Sequence, residues 1–268
     1  MNSLATAPIG VFDSGVGGLT VARALMARLP SERIFYFGDT ARVPYGVKSV
    51  ETIAQYAREI AAFLLAKDVK LLIVACNTMA AVALSEIEDL SPVPVLDVLS
   101  ASASAAARES RNGRIGVIGT LATVNSGAYD AAIHHARPDA RVSARACPLF
   151  VPLVEEGWLD HRVTRLVADE YLAPLQREAV DTLVLGCTHY PLLRPVLQDA
   201  MGPGVRLVDS AEAVAEQARV LLHDRGLAAP ERAAAAHEFF VTDVPQRFQE
   251  IGGRFLGRPI SPTHVVHL

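Results

Sequence analysis

The sequence predicts an α/β fold made of two similar parallel-sheet lobes related by pseudo-twofold symmetry, with a candidate active site in the cleft between them. Three observations lead there. Short apolar runs alternate with segments of helical periodicity, the pattern of parallel strands covered on both faces. Two of those runs return later in the chain with similar residues at nearly one offset. Two cysteines, Cys76 and Cys187, occupy matching places in the second pair of runs.

In chain order, Pro8 to Phe12 reads as the first strand. The run Asp13-Ser14-Gly15-Val16-Gly17-Gly18-Leu19-Thr20 then leads into a helical pattern, so its backbone N–H groups suit an anion. It has neither the Gly-Lys-Ser/Thr ending of a P-loop nor the third glycine of a dinucleotide loop, where Thr20 stands. A carboxylate fits better, and a plain tight turn is the alternative. Between Val50 and Leu65 the residues Ile53, Tyr56, Ala57, Ile60, Phe63 and Leu64 recur at helical spacing behind Ser49 as N-cap, a stripe that reads as core. Lys70 to Ala75 and Asp181 to Leu185 are buried strands. The Ala/Pro-rich stretch 227–236 reads as a connector to a strand at His237 to Val241.

The echoes set the domain plan. Ile9-Gly10-Val11-Phe12-Asp13-Ser14 matches Ile115-Gly116-Val117-Ile118-Gly119-Thr120, and Leu72-Ile73-Val74-Ala75-Cys76-Asn77-Thr78 matches Leu183-Val184-Leu185-Gly186-Cys187-Thr188-His189. The offsets, 106 and 111 residues, far exceed the ~20 to 50 residues of a solenoid repeat. The expected lobes are 1–98 plus 209–268, and 99–208.

Composition narrows the function. With 51% hydrophobic and 20% charged residues over 268 positions, the chain can bury a core without a partner. A net charge of -4 and a pI near 6.1 provide no global attraction to nucleic acid or anionic lipid. No run of ~18 apolar residues suggests a membrane span, and Met1 to Pro8 has no leader pattern, so a cytoplasmic location is expected. Three cysteines, Cys76, Cys147 and Cys187, are too few for a disulfide framework.

In open α/β sheets, ligands bind beyond the carboxyl ends of strands. If the lobes face each other, Cys76 and Cys187 flank one ligand. Inverting a carbon centre without a carrier requires a base on one face and an acid on the other, with the roles exchanged in reverse. A lone strand-end cysteine reads as packing, but two at matching ends, followed by Asn77-Thr78 and Thr188-His189, favour chemistry. Cys147, before Pro148, has no match and is assigned to the core. Asp13, ending the first strand, and His189, two residues after Cys187, are candidates to assist a thiol if the fold brings them near; the alternatives are a helix cap and a satisfied surface imidazole. For Asn77 and Thr78 the alternative is helix capping. A pyridoxal enzyme needs a Schiff-base lysine, and the chain offers only Lys48, Lys67 and Lys70. Cys187 with His189 makes at most half a metal site. No cofactor and no metal are expected.

The blocks Val11 to Val21, Gly38 to Gly46, Ala75 to Thr78, Cys147 to Gly157 and Gly186 to Leu193 closely resemble the glutamate racemases of the aspartate/glutamate racemase family. The resemblance implies Cys76 and Cys187 as proton donor/acceptors for the D- and L-enantiomers respectively, assisted by Asp13, His189 and Glu155. It implies substrate held by Asp13, Ser14, Tyr45, Gly46, Asn77, Thr78, Thr188 and His189, with contributions from Thr120 and Thr123. It further implies a cofactor-independent isomerase, commonly a homodimer, that makes D-glutamate for peptidoglycan. Related aspartate racemases typically carry Glu where His189 stands, which favours glutamate. Leu99 to Ala103 departs from the Glu-Pro-Gly common at the crossing between lobes. Two other classes remain at this stage. A non-catalytic amino-acid binding module would exchange no α-proton, and a cysteine hydrolase would need only one of the thiols.

Overall fold

The computed structural model describes residues 3–231 and 235–268. It begins with β1 (Ile9–Asp13), α1 (Leu19–Arg28), β2 (Ile34–Gly38), α2 (Val50–Leu65), β3 (Leu71–Val74), α3 (Asn77–Leu90) and β4 (Val95–Asp97). Helix α4 (Val98–Glu109) crosses to β5 (Arg114–Gly119), α5 (Leu121–Asn125), α6 (Ala128–Ala136), β6 (Arg141–Ala146) and α7 (Phe150–Glu155). Then come α8 (Arg162–Arg177), β7 (Thr182–Gly186), α9 (Arg194–Met201), β8 (Arg206–Asp209) and α10 (Ser210–Asp224). The chain closes with β9 (Glu238–Val241), α11 (Pro245–Leu256) and β10 (Thr263–Val265). Positions 1–2 of the amino-terminal stretch and 232–234 of the expected connector lie outside the described residues.

Every strand pair is parallel. One sheet runs β10-β9-β2-β1-β3-β4 and the other β6-β5-β7-β8. Without β9 and β10 the two orders are the same, so β1 corresponds to β5 and β3 to β7. These are the segments whose sequences echo each other. The apolar strands β1, β3 and β7 are buried throughout because helices cover both faces. In both sheets the first and third strands of the unit are neighbours, which brings their carboxyl ends together.

Helix α2 falls where its apolar spacing predicts, burying Ile53, Ala57, Ile60 and Leu64. Ser49 caps it, its hydroxyl accepting from the Thr52 N–H at 3.3 Å. The Leu99 to Ala103 segment forms the first turns of α4, with the Asp97 carboxylate accepting from the Ser100 N–H at 2.7 Å. A single buried cluster runs from Ile9, Val11 and Tyr36 through Val98 and Ala101 to Leu185, Leu222 and Phe255. The two sheets therefore share core rather than each closing its own. Helix α10 packs against both α1 and α4, and β9 pairs with β2, so the carboxyl-terminal segment returns to the first sheet. Among the described residues, no helix is long and apolar enough to cross a membrane.

Candidate active site

Cys76 follows β3 and occupies the N-cap position of α3 without a side-chain capping bond. Cys187 directly follows β7. Topologically these are equivalent places in the two sheets. Asp13 ends β1, and Thr120, its counterpart region in the other sheet, caps α5 after β5. All three cysteines are free. Cys76 is 5% exposed and Cys187 6%, so each residue is almost entirely shielded from water.

On the Cys76 side, the thiol donates to the Ser14 hydroxyl across 3.7 Å. Burial, then the neighbouring negative charge of Asp13, pushes this thiol up to about 12. Asp13 is itself buried. Its Oδ2 accepts from the Gly15 N–H at 2.9 Å, while Oδ1 is buried with no hydrogen-bond partner. Burial raises the Asp13 carboxyl above its ordinary range, against the opposing pull of the His189 charge and of backbone N–H groups from Gly18, Gly15 and Ser14. Asp13 is no helix cap: Gly18 holds that position on α1.

On the Cys187 side the partners differ. The sulfur lies 3.9 Å from His189 Nδ1, and His189 Nε2 lies 3.0 Å from Glu155 Oε1. Burial disfavours charge on this imidazole, but hydrogen bonds to Cys187 and Glu155 outweigh it and raise His189 to about 10. The same pairing holds Glu155 below the usual carboxylate range. His189 is buried, not a surface imidazole.

The walls meet at the glycine loop. A Cβ on Gly17 would stand 2.6 Å from His189 Nδ1 and closer still to the Thr188 hydroxyl. Only a residue without a side chain lets the first-sheet loop approach Thr188 and His189 this closely. The Thr20 hydroxyl reaches the Thr188 carbonyl at 3.2 Å. Because His189 also acts electrostatically on Asp13, and Asp13 on Cys76, the two thiols belong to one electrostatic network.

Three threonines cluster between the lobes. Thr78 Oγ1 lies 3.0 Å from that of Thr120 and 3.3 Å from that of Thr123, and the last two are 2.9 Å apart. Gly46 abuts Thr120, where a Cβ would come within 3.1 Å. The Tyr45 hydroxyl is committed to Asp39, a fully buried carboxylate that also accepts from Arg42 at 2.7 Å and Thr242 at 2.9 Å. Asn77 is not capping its helix; its Oδ1 accepts from the Tyr129 hydroxyl at 2.6 Å. Neither Asp39 nor Tyr129 stands out in the sequence as a site residue. Their signals, an Asp inside the Gly38 to Gly46 block and one tyrosine in a short helix, are not distinctive. Cys147 is fully buried, as packing requires. Among the described residues, no group of three or more His, Cys, Asp or Glu is placed to hold a metal ion.

Comparison with known proteins places this fold and these strand ends in a family. The chain matches the Asp/Glu/Hydantoin racemase family over residues 19–218, which include both cysteines and His189. It is 62% identical over 267 residues to a glutamate racemase of Syntrophus aciditrophicus, covering 100% of this chain and 99% of that one. The fold superposes on a glutamate racemase isoform of Bacillus anthracis with a TM-score of 0.94 at 39% identity, covering 98% of each chain. It also superposes on a Francisella tularensis glutamate racemase solved with D-glutamate, with a TM-score of 0.92 at 38% identity and 98% of each chain covered. Matches of this extent, over the same strand ends that carry the thiols, place the chain in the Asp/Glu/hydantoin racemase family.

Proposed function

We propose that the protein is a glutamate racemase, interconverting L- and D-glutamate by moving the Cα proton between two thiols without a cofactor. The observation that carries this reading is the unlike surroundings of two cysteines at equivalent strand ends. Cys187 sits against the His189–Glu155 pair, which suits the base. Cys76, pushed up to about 12, suits the acid. In the direction from L-glutamate, a Cys187 thiolate takes the α-proton and the Cys76 thiol delivers another to the opposite face; the return direction exchanges the roles. Both sulfurs end each turnover in the opposite protonation state, so Asp13 and His189 serve to restore them.

The Cα proton is weakly acidic, so the developing carbanion needs hydrogen bonds to its α-carboxylate and a site shielded from water. Ser14, Asn77, Thr78, Thr120, Thr123 and Thr188 supply hydroxyl and amide groups for the two substrate carboxylates, with the Tyr45–Gly46 turn closing one side. Since both thiols are covered, the lobes, here taken as 1–98 plus 209–268 and 99–208, must part to admit substrate. The reading takes the chain as a cytoplasmic homodimer supplying D-glutamate for peptidoglycan. Its support is the 62% identity to a protein of that activity and a close structural neighbour holding D-glutamate.

The test is incubation with L-glutamate in heavy water, following deuterium at Cα and loss of optical rotation. Racemisation with one solvent deuteron per turnover is expected, and Cys76→Ala and Cys187→Ala should each abolish it. Binding of glutamate with no exchange would leave an amino-acid binding module. Full activity in either alanine variant would end the two-thiol mechanism.

A further inference from the structure

Asn77 directly follows Cys76, is 3% exposed, and has one amide end satisfied and the other not. Its Oδ1 accepts from the Tyr129 hydroxyl at 2.6 Å, while its Nδ2 is buried without a partner. A buried donor left unpaired in a folded protein is costly unless something arrives to accept from it. Tyr129 comes from α6, across the lobe boundary, and is itself buried. Its ring lies over the strand end before Cys187, where a Cβ on Gly186 would come within 2.9 Å of it. Its oxygen also lies 2.8 Å from the Ser102 hydroxyl on the crossing helix α4. The phenol gives its one proton to Asn77, and the Ser102 hydroxyl gives its own to the helix carbonyls of Val98 at 2.7 Å and Leu99 at 3.1 Å. One side chain thus touches the Cys76 strand end, the Cys187 strand end and the segment between the lobes.

We propose that Tyr129 is a positioning residue that fixes the rotation of the Asn77 amide, so that Oδ1 is turned away and Nδ2 points as a donor at a substrate carboxylate. An asparagine amide can present either end to a ligand, and only one end attracts an anion. With Tyr129 donating on the far side, the oxygen end is held there and the NH2 end is left for the ligand. Ser102, whose hydroxyl lies 2.8 Å from the phenol but donates to the Val98 carbonyl at 2.7 Å, contributes less. This inference rests on the reading that Asn77 holds glutamate.

The experiment is a kinetic cycle of Tyr129→Phe, Asn77→Ala and the double variant, with L- and D-glutamate. Phenylalanine keeps the ring against Gly186 and leaves Ser102 its helix carbonyl, so the fold should persist. Tyr129→Phe is expected to lower kcat/KM about 10-fold, the scale of one misdirected hydrogen bond to a charged ligand. In the Asn77→Ala background the same change should cost less than 2-fold, and Ser102→Ala alone about 3-fold. Equal cost of Tyr129→Phe in both backgrounds would assign Tyr129 to general packing and overturn the proposal. If Asn77→Ala leaves kcat/KM unchanged, the assignment of Asn77 to the substrate fails first, and the proposal with it. If Asn77→Ala is costly and Tyr129→Phe is silent, the proposal alone fails.

Discussion

The half of the molecule carrying Cys76 and the half carrying Cys187 share a strand order, yet they place opposite charges near sulfur. Cys76 has a hydroxyl at 3.7 Å and a buried carboxyl behind it, and is held as a thiol. Cys187 has a buried imidazole raised to about 10, itself braced by Glu155. A symmetric reaction on mirror-image substrates does not need symmetric catalysts. It needs one group deprotonated and the other protonated at the start of each turnover, and unlike neighbours on like scaffolds supply that difference. The halves differ in support as well. The Asp39 loop of the first sheet is fastened by the returning carboxyl-terminal segment, through Thr242 to Asp39 and Thr40 to the Asp243 carbonyl at 2.8 Å.

If that asymmetry matters, the largest effect comes from removing the cation. His189→Asn should lower kcat/KM about 100-fold or more, within the range for loss of an assisting acid or base, whereas Ser14→Ala should cost about 10-fold. Because L- and D-glutamate have equal free energies, kcat/KM must fall equally in both directions for any variant. The difference between halves therefore appears in kcat and KM separately, measured by polarimetry from each enantiomer. Equal losses for His189→Asn and Ser14→Ala would mean the two sulfurs are tuned alike.

Stability separates the halves next. Burial raises the Asp13 carboxyl above 3.8, so its stabilising contribution is present below that pH and lost as pH rises through the folded value. Its Oδ1 is buried without a hydrogen-bond partner. Asp13→Asn, which removes the titrating group, should abolish that decline of unfolding free energy with rising pH while cutting kcat/KM about 100-fold. His189 behaves with the same sign over a higher window. Raised from 6.5 to about 10, it stabilises the fold fully below 6.5 and ceases to as pH climbs through 10. Urea unfolding between pH 6.5 and 10 should show a decline in the wild type that His189→Asn lacks.

How far the sequence discloses this asymmetry depends on the range of each interaction. Helix α2 was legible because Ile53, Ala57, Ile60 and Leu64 encode its buried face locally and Ser49 its start. Strands β1, β3, β5 and β7 were legible because central parallel strands must be apolar on both faces. Edge strand β6, with Arg141 and Arg145 and no fully buried residue, has no such signature. Helix α4 is rich in Ala and Ser, giving little contrast between its faces, so the 99–103 segment reads as a crossing rather than as a capped helix. The positions of the thiols followed from the internal echo. Their partners did not: Glu155 meets His189 across 34 residues of chain and Tyr129 meets Asn77 across 52, contacts that no local periodicity records. Glu155 came from the family resemblance, and Tyr129 from the fold alone.

The smallest effect tests whether Glu155 works only through His189. Its carboxylate is a third exposed, so solvent screens the pair and its removal should cost less than loss of the imidazole. Glu155→Gln keeps a hydrogen-bonding oxygen near Nε2 but removes the negative charge that helps hold the imidazolium. The folded-state value of His189 should fall from about 10, and the alkaline limb of kcat/KM against pH should move to lower pH, with about a 5-fold loss at the optimum. The same substitution should shift the pH dependence of Cys76 alkylation in a Cys187→Ser background far less, because Glu155 reaches that sulfur only through His189 and Asp13. Shifts of equal size in both profiles would mean that the two halves titrate as one unit.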